Sequence, residues 1–417
     1  MFTIKGKQFY NNGKPSFYMA DTCWSAFTNI FPNEWKYYLQ TRFEQGFNVI
    51  QLNLLRQWDA STTNTVNLNW EPFKVIQFKD GQRIYDYSQL NESYFDHVEN
   101  MLKVMEAEKL TPSLVLLWCN YLPDTWVHNV ASPTNIMPLE DAKNYVDYVT
   151  KRFAKYHPIY FLSGDTDFPD NSNVETYYQE ALKIVRKNDP QALVSMHIAG
   201  ERDLVPENLL NQLDFFAYQS GHGATGEPTA ESIPQALLKN RYNKPMVDTE
   251  VCYEFMPKFS PEMNARFSKA DVRRTSWKAI MAGAFSGITY GAHGIWQWFR
   301  KGGFFPPQYP DPADWRQALF FTGVMDITKI KEIISQIDLN NTESITFNDK
   351  DRALRVDNDT YLIYLPMSKD VDLGKVNYSS VKMLNLKSRY VYYPKVIDQT
   401  IKKIDQPGDY LLIIKNK

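Results

Sequence analysis

The sequence predicts an α/β fold, a (β/α)8 TIM barrel followed by a small all-β sandwich domain, and three observations carry that prediction. Eight short apolar runs alternate with segments of helical period. The helical period stops near residue 337 and gives way to short strands and turns. The length, 417 residues, suits a barrel of roughly 250–330 residues plus a module of roughly 80. The chain accordingly divides into residues 1–336, the barrel with an N-terminal hairpin, and residues 337–417, an antiparallel β domain.

Residues 2–15 read as a hairpin that turns at Asn11-Asn12-Gly13, since Asn-Gly favours the tight turns that join antiparallel strands. The barrel strands are then expected at Phe17–Ala20, Asn48–Leu54, Ser113–Trp118, Ile159–Ser163, Leu193–His197, Asp214–Tyr218, Pro245–Thr249 and Gly287–Trp296. Each is apolar on both faces, as parallel strands covered on both sides are. Helical patterns lie between and after them, at Asn33–Gln45, Ser93–Glu108, Leu139–Tyr156, Asn173–Lys187, Ile233–Asn240, Lys269–Ala284 and Trp315–Ile337. The fifth of these is weak. Asn33 and Ser93 stand where N-caps would, and Gly46 stands where a helix ends in a left-handed residue. Periodicity alone does not separate a closed barrel from an open sheet; eight alternations favour closure. The last strands are expected at Ser344–Phe347, Ala353–Val356, Thr360–Leu365, Val381–Leu386, Arg389–Tyr393 and Tyr410–Ile414, with turns at Asp357-Asn358-Asp359 and Pro407-Gly408-Asp409. This terminal sheet shows no tryptophan platform and reads as a brace for the barrel.

Bulk properties narrow the function. The net charge of −2 gives no basic surface for nucleic acid. No apolar run approaches the ~20 residues of a membrane span. The opening MFTIKGKQFYNNGKP lacks the apolar core of a signal peptide, so the chain reads as cytoplasmic as given, or as secreted or periplasmic if a leader has been removed. Cys23, Cys119 and Cys252 are odd in number and form no CxxC, which suits buried reduced thiols. Aromatic residues make up 15% of the chain, which fits sugar stacking and equally fits core filling. There is no G-x-S-x-G, P-loop or GxGxxG to support esterase, NTPase or dinucleotide chemistry, and no cofactor is called for.

In a barrel, function sits at the C-terminal ends of the strands. Those ends carry Asp21 and Trp24, Asn53 and Arg56, Trp118, Asp165, Tyr218 with Gln219 and His222, Glu250, and Trp296. Carboxylates, amides, histidine and tryptophan together suit a carbohydrate. Asp165 and Glu250 come from strands four and seven, on opposite sides of the mouth, and glycoside cleavage needs two such carboxyl groups. Asp165 is equally placed to cap the following helix. Asp21, Asp167, Asp248 and Glu254 compete for a role. The expected substrate-binding residues are Asp21, Trp24, Asn53, Arg56, Trp118, Tyr218, Gln219, His222 and Trp296, with Asp21 holding a sugar hydroxyl or orienting Arg56. Two other readings stay open: a non-catalytic carbohydrate-binding barrel, and a metal-dependent hydrolase on His197, His222 and His293. No HxH or HExxH supports a metal site, and none is assigned.

Phe17–Trp24, Tyr38-Leu39, Arg42 and Gly46–Gln51 resemble the opening of the apiosidase-like barrel hydrolases, glycoside hydrolase family 140. Ser163-Gly164-Asp165, Gln219–His222, Lys244–Glu250 with Tyr253-Glu254, and Tyr290–Trp298 resemble further blocks of that family in order. The resemblance covers about residues 1–335 and extends more loosely to Arg389–Lys395 and Gly408–Leu412. It implies a retaining clan-A glycosidase with Asp165 as acid/base and Glu250 as nucleophile. It also implies exo-removal of a terminal sugar, apiose among the candidates, from plant pectin. The chain departs from the clan pattern at two points: the acid/base is Asp rather than Glu, and Gly164 stands where an Asn usually precedes it.

Overall fold

A computed structural model describes residues 1–62, 70–79, 82–131, 135–223, 226–258 and 265–417. Its centre is one parallel sheet of eight strands: β1 (Tyr18–Thr22), β2 (Val49–Asn53), β3 (Thr111–Trp118), β4 (Ile159–Gly164), β5 (Val194–Ser195), β6 (Phe216–Tyr218), β7 (Met246–Asp248) and β8 (Gly287–Tyr290). The spatial order is β5-β4-β3-β2-β1-β8-β7-β6. The two outer members are the short β5 and β6, and they meet through a bridge from His197 to Ala217, with the Asp214 N–H donating to the Val194 carbonyl at 2.9 Å. That bridge closes the barrel.

The helices α1 (Pro32–Glu44), α2 (Glu92–Ala107), α3 (Leu139–Phe153), α4 (Val174–Asn188), α5 (Gly226–Lys239), α6 (Lys269–Ala282) and α7 (Val324–Ile334) surround it. Between β5 and β6 the described chain makes only one helical turn, Glu207–Leu210. Their apolar faces follow the 3.6-residue period. In α4, for example, Val174, Tyr177, Tyr178, Ala181, Leu182 and Val185 are buried.

The structure corrects several boundaries. Helix α1 starts earlier than expected because Pro32 occupies its first turn and Phe31 is the N-cap, its N–H donating to Glu34. Asn91, not Ser93, caps α2. Gly46 does take the left-handed conformation after α1, with φ 92°. β8 stops at Tyr290 rather than Trp296, because Gly291 runs against the Tyr253 ring and the chain turns away; a Cβ at Gly291 would lie 1.9 Å from Tyr253 Cδ1. The expected helix Trp315–Ile337 is two helices, Trp315–Ala318 and α7. They part where the Gly323 N–H donates to the buried Glu254 carboxylate at 2.9 Å.

The N-terminal segment is a three-stranded sheet, Phe2–Lys5, Gln8–Asn11 and Lys14–Ser16, with the expected turn at Asn12-Gly13 and a second at Gly6. It plugs the bottom of the barrel: Phe9 packs edge-on against Phe215 and tilts over Tyr18. An antiparallel hairpin between β2 and α2, Phe73–Lys79 with Gln82–Leu90, is an addition that the strand-and-helix reading did not foresee.

Beyond α7 stand β9 (Thr342–Phe347), β10 (Asp351–Val356), β11 (Thr360–Leu365), β12 (Val371–Asp372), β13 (Tyr378–Asn385), β14 (Val391–Tyr392), β15 (Val396–Ile397), β16 (Thr400–Ile401) and β17 (Tyr410–Asn416). They form a six-stranded sheet, β9-β10-β11-β17-β13-β14, and a three-stranded one, β12-β16-β15. Successive side chains on a strand face opposite ways, and both faces of the larger sheet are used. Leu354, Leu362 and Leu411 join the barrel's core, while their neighbours Ala353, Ile363 and Leu412 join a second core with the smaller sheet. Arg273 of α6 ties the two parts together through a bidentate pair with Asp409, at 2.8 and 2.7 Å, and a 2.6 Å contact with Asp326. All three residues are buried. Cys23, Cys119 and Cys252 are buried and unpaired. No described helix is long and apolar enough to cross a membrane.

Candidate active site

A cavity of about 360 Å³ opens at the C-terminal ends of the barrel strands, and Asp165 and Glu250 both line it. The way each is held follows from its local backbone.

Asp165 comes immediately after β4 and sits in the left-handed region with φ 53°. Asp is one of the few side chains that enters this region at modest cost. The cost is met by fixed partners. Trp126 Nε1 donates to the Asp165 carbonyl at 2.7 Å, and the Asp165 N–H donates to His197 Nδ1 at 3.5 Å. Its carboxylate accepts from Gln219 Nε2 at 2.6 Å. The preceding Gly164 is required by packing, since a Cβ there would lie 2.2 Å from Trp118 Cε3. An Asn at this position would displace the Trp118 ring.

Glu250 follows β7 by two residues and receives an imidazole on each oxygen. His222 Nε2 lies 2.8 Å from Oε1, and His197 Nε2 lies 3.2 Å from Oε2. In both rings Nδ1 accepts a backbone N–H, from Tyr253 at 3.3 Å in His222 and from Asp165 in His197. An accepting Nδ1 leaves the ring proton on Nε2, so His222 presents a donor to Glu250, while His197 turns its Nε2 toward Oε2 without hydrogen-bond alignment. The Tyr253 hydroxyl accepts from Trp24 Nε1 at 3.0 Å. Burial, and next the charge of Glu250, keep that hydroxyl protonated.

The two carboxyl groups are pushed in opposite directions. Burial, and next the Glu250 charge, raise Asp165 to about 6. Burial alone would raise Glu250 too, but His197 and His222 outweigh it and lower the group to about 2. Near pH 5, therefore, one group is largely an acid and the other a carboxylate, the division that glycoside cleavage needs.

Of the residues expected from sequence, Trp24, Trp118, Gln219, His222 and Trp296 line the same cavity as Asp165 and Glu250. Four expected binding residues lie elsewhere. Asp21 is fully buried and accepts from Tyr38 and Arg42 of α1, both at 2.6 Å, so it faces the helical layer and does not orient Arg56. Arg56 is clamped by Glu71, at 2.5 and 2.8 Å. Tyr218 sends its hydroxyl outward to the Ala230 carbonyl of α5 at 3.1 Å. Asn53 donates to Gln57 at 2.9 Å and supports the wall from behind.

Among the competitors, Asp167 accepts the Trp126 N–H, Asp248 accepts the Ser220 N–H, and Glu254 accepts from Tyr290 and Gly323. The three histidines do not converge on one point. His197 and His222 turn to Glu250, while His293 Nε2 meets the Pro310 carbonyl.

Sequence reasoning missed Gln57, Asp59, Trp126, Glu201, Tyr253 and Tyr309, which also line the cavity. The signal for Asp59 was its place in the polar and aromatic run that follows β2; that for Tyr253 was its place three residues after Glu250.

Comparison with known proteins gives the family and the fold. The family model described as "Apiosidase-like, catalytic domain" matches residues 5–341. A search of curated proteins finds no match. Among solved structures, a glycoside hydrolase family 5 protein from Bacteroides vulgatus superposes with a TM-score of 0.77 at 20% identity, covering 100% of this chain and 92% of that one. A second structure, described as a glycoside hydrolase, gives a TM-score of 0.76 at 21% identity, covering 100% of this chain and 97% of that one. At these identities the structural likeness speaks for the fold.

Proposed function

Given that this chain belongs to the apiosidase-like family and is a glycosidase, we propose that it hydrolyses O-glycosyl bonds in two retaining steps, with Asp165 as acid/base and Glu250 as nucleophile. The observation that carries this reading is the placement of two carboxyl groups in one cavity, Asp165 on the Gln219 amide and Glu250 against two imidazoles, surroundings that raise the first group and lower the second. In the first step Asp165 protonates the leaving oxygen while Glu250 attacks the anomeric carbon. His222 bonds one Glu250 oxygen and His197 stands 3.2 Å from the other, so the carboxylate is oriented before the sugar arrives. Once Glu250 is esterified its charge is gone. The acidity of Asp165 then rises, and it takes the proton from the water that releases the sugar.

The cavity volume lies at the low end of ligand pockets, about 300–1,000 Å³. That supports removal of a terminal sugar over binding along a chain. The family description supports a terminal apiose-type residue as the sugar removed, and we propose a plant pectic oligosaccharide as its carrier.

The test incubates the protein with pectic side-chain oligosaccharides and a panel of 4-nitrophenyl glycosides, and identifies the monosaccharide released. Glu250→Gln should abolish turnover with folding intact. Asp165→Ala should slow natural substrates by about 10²–10⁴-fold and be rescued by azide on activated aryl glycosides. The first-formed anomer, read by NMR, should match the substrate. An inverted product would overturn retention, and unchanged turnover in Glu250→Gln would overturn the assignment.

A further inference from the structure

A third carboxyl group faces the cavity and takes no part in the two-step reaction. Asp59 lines the same space as Asp165 and Glu250 and is 7% exposed. It stands in the segment after β2, which is pinned on both sides. Gln57 Nε2 donates to Asp59 Oδ1 at 2.8 Å, and the Gln57 carbonyl oxygen accepts from Asn53 Nδ2 at 2.9 Å. Asn53 Oδ1 in turn accepts the Leu55 N–H at 3.0 Å. Both ends of both amides are therefore committed, and the Gln57 amide can only present its donor to Asp59. Downstream, the Ser61 hydroxyl bonds to the Gln297 and Trp298 carbonyls at 2.6 and 2.7 Å. A relay of this kind fixes a side chain for contact with a ligand. Among the described residues Asp59 has no ion-pair partner.

We propose that Asp59 is a glycone-binding residue, whose second carboxyl oxygen hydrogen-bonds a hydroxyl of an uncharged sugar held over Glu250. This rests on the glycosidase reading above and adds a residue to it. The charges of Asp165, from the tip of β4, and Glu250, from beyond β7, act on Asp59, and Asp59 in turn acts on Cys119 and Tyr309. Glu201, Arg202, His222 and Tyr253 line the same cavity, and among the described residues none of the cations pairs with Asp59. Burial first, and the charges of Asp165 and Glu250 in addition, raise Asp59 to about 8 against the opposing bond from Gln57. At neutral pH it is mainly a neutral acid, able to donate to a sugar oxygen and unable to serve as a nucleophile. A third negative charge beside Glu250 would oppose ionisation of Asp165, and the protonated form avoids it.

The test uses the full-length protein and the 4-nitrophenyl glycoside that the wild type turns over fastest. Asp59→Asn keeps a donor in place and should stay within about 5-fold of wild-type kcat/KM. Asp59→Ala should lose about 10-fold or more, chiefly through KM. Azide should rescue Asp165→Ala but not Asp59→Ala, because an activated leaving group masks a lost acid and does not mask a lost sugar contact. Wild-type KM should rise as pH passes about 8, and Asp59→Asn should remove that rise. Asp59→Ser replaces the alanine variant if thermal melting shows it unfolded.

Alanine or serine variants with wild-type KM would overturn the proposal, as would azide rescue of Asp59→Ala. A loss in Asp59→Asn as large as in Asp59→Ala would overturn the neutral-donor form of contact. A wild type that hydrolyses no glycoside at all would instead strike the glycosidase reading itself.

Discussion

At the scale of single residues, the pH profile tests the site most directly. Asp165 must be protonated to act as the acid, so kcat/KM should fall as pH rises through about 6. Glu250 must be ionised, which holds down to about pH 2. The Gln219 bond lowers the Asp165 value. Gln219→Leu should therefore move the basic limb to higher pH, and an unmoved limb would detach that limb from Asp165. Gly164→Ala places a methyl group against the Trp118 ring. It should destabilise the protein by about 1–3 kcal/mol, measured by urea unfolding, and should lower activity by displacing the floor under Asp165. Asp165 stood out in the sequence because it follows directly on an apolar strand, and Glu250 because it comes two residues after another strand. Arg56 was not, because its partner Glu71 lies 15 residues further on in an added hairpin region with no pattern to announce it. The tautomers of His197 and His222 were equally hidden, since each is set by the backbone N–H of a residue far along the chain.

At the scale of elements, the legible parts were those with a strong period. Helix α4 repeats its buried face over four turns, and the expected range Asn173–Lys187 lies within a residue of Val174–Asn188. β8 and the helix after it were overdrawn because apolar composition continues past the point where Gly291 and Gly323 let the chain turn. Neither turn is local in origin: one follows the Tyr253 ring and the other the Glu254 carboxylate. The sheet-to-barrel contact was not visible either, because Arg273 and Asp409 are 136 residues apart. Their pairing carries a prediction. Arg273→Ala leaves Asp409 and Asp326 without that buried cation and should cost about 3–5 kcal/mol, read as a lower urea midpoint. A loss below about 1 kcal/mol would mean that apolar packing alone holds the terminal domain.

At the scale of the whole molecule, the terminal sandwich shares a core with the barrel through Leu354, Leu362 and Leu411. Ending the chain at residue 341 would bare that apolar face on α6 and its neighbours, and the fragment should aggregate on expression; a soluble, active fragment would contradict the bracing role. The barrel itself has an uneven wall. Among the described residues, seven of its joints are ladders of paired strands, and the eighth, between β5 and β6, is a looser seam: the bridge of His197 with Ala217, the Asp214 N–H on the Val194 carbonyl and the Ser195 hydroxyl on the Phe215 carbonyl. The imidazole that touches both the Asp165 backbone and the Glu250 carboxylate belongs to the residue at that joint. A cask gives first at its weakest stave, and here that stave touches both Asp165 and Glu250. Partial loosening in mild urea should part Asp165 from Glu250 while the rest of the hoop still holds. Turnover should vanish at a lower urea concentration than far-UV ellipticity, and amide exchange should be fastest, among the barrel strands, at the ends of β5 and β6.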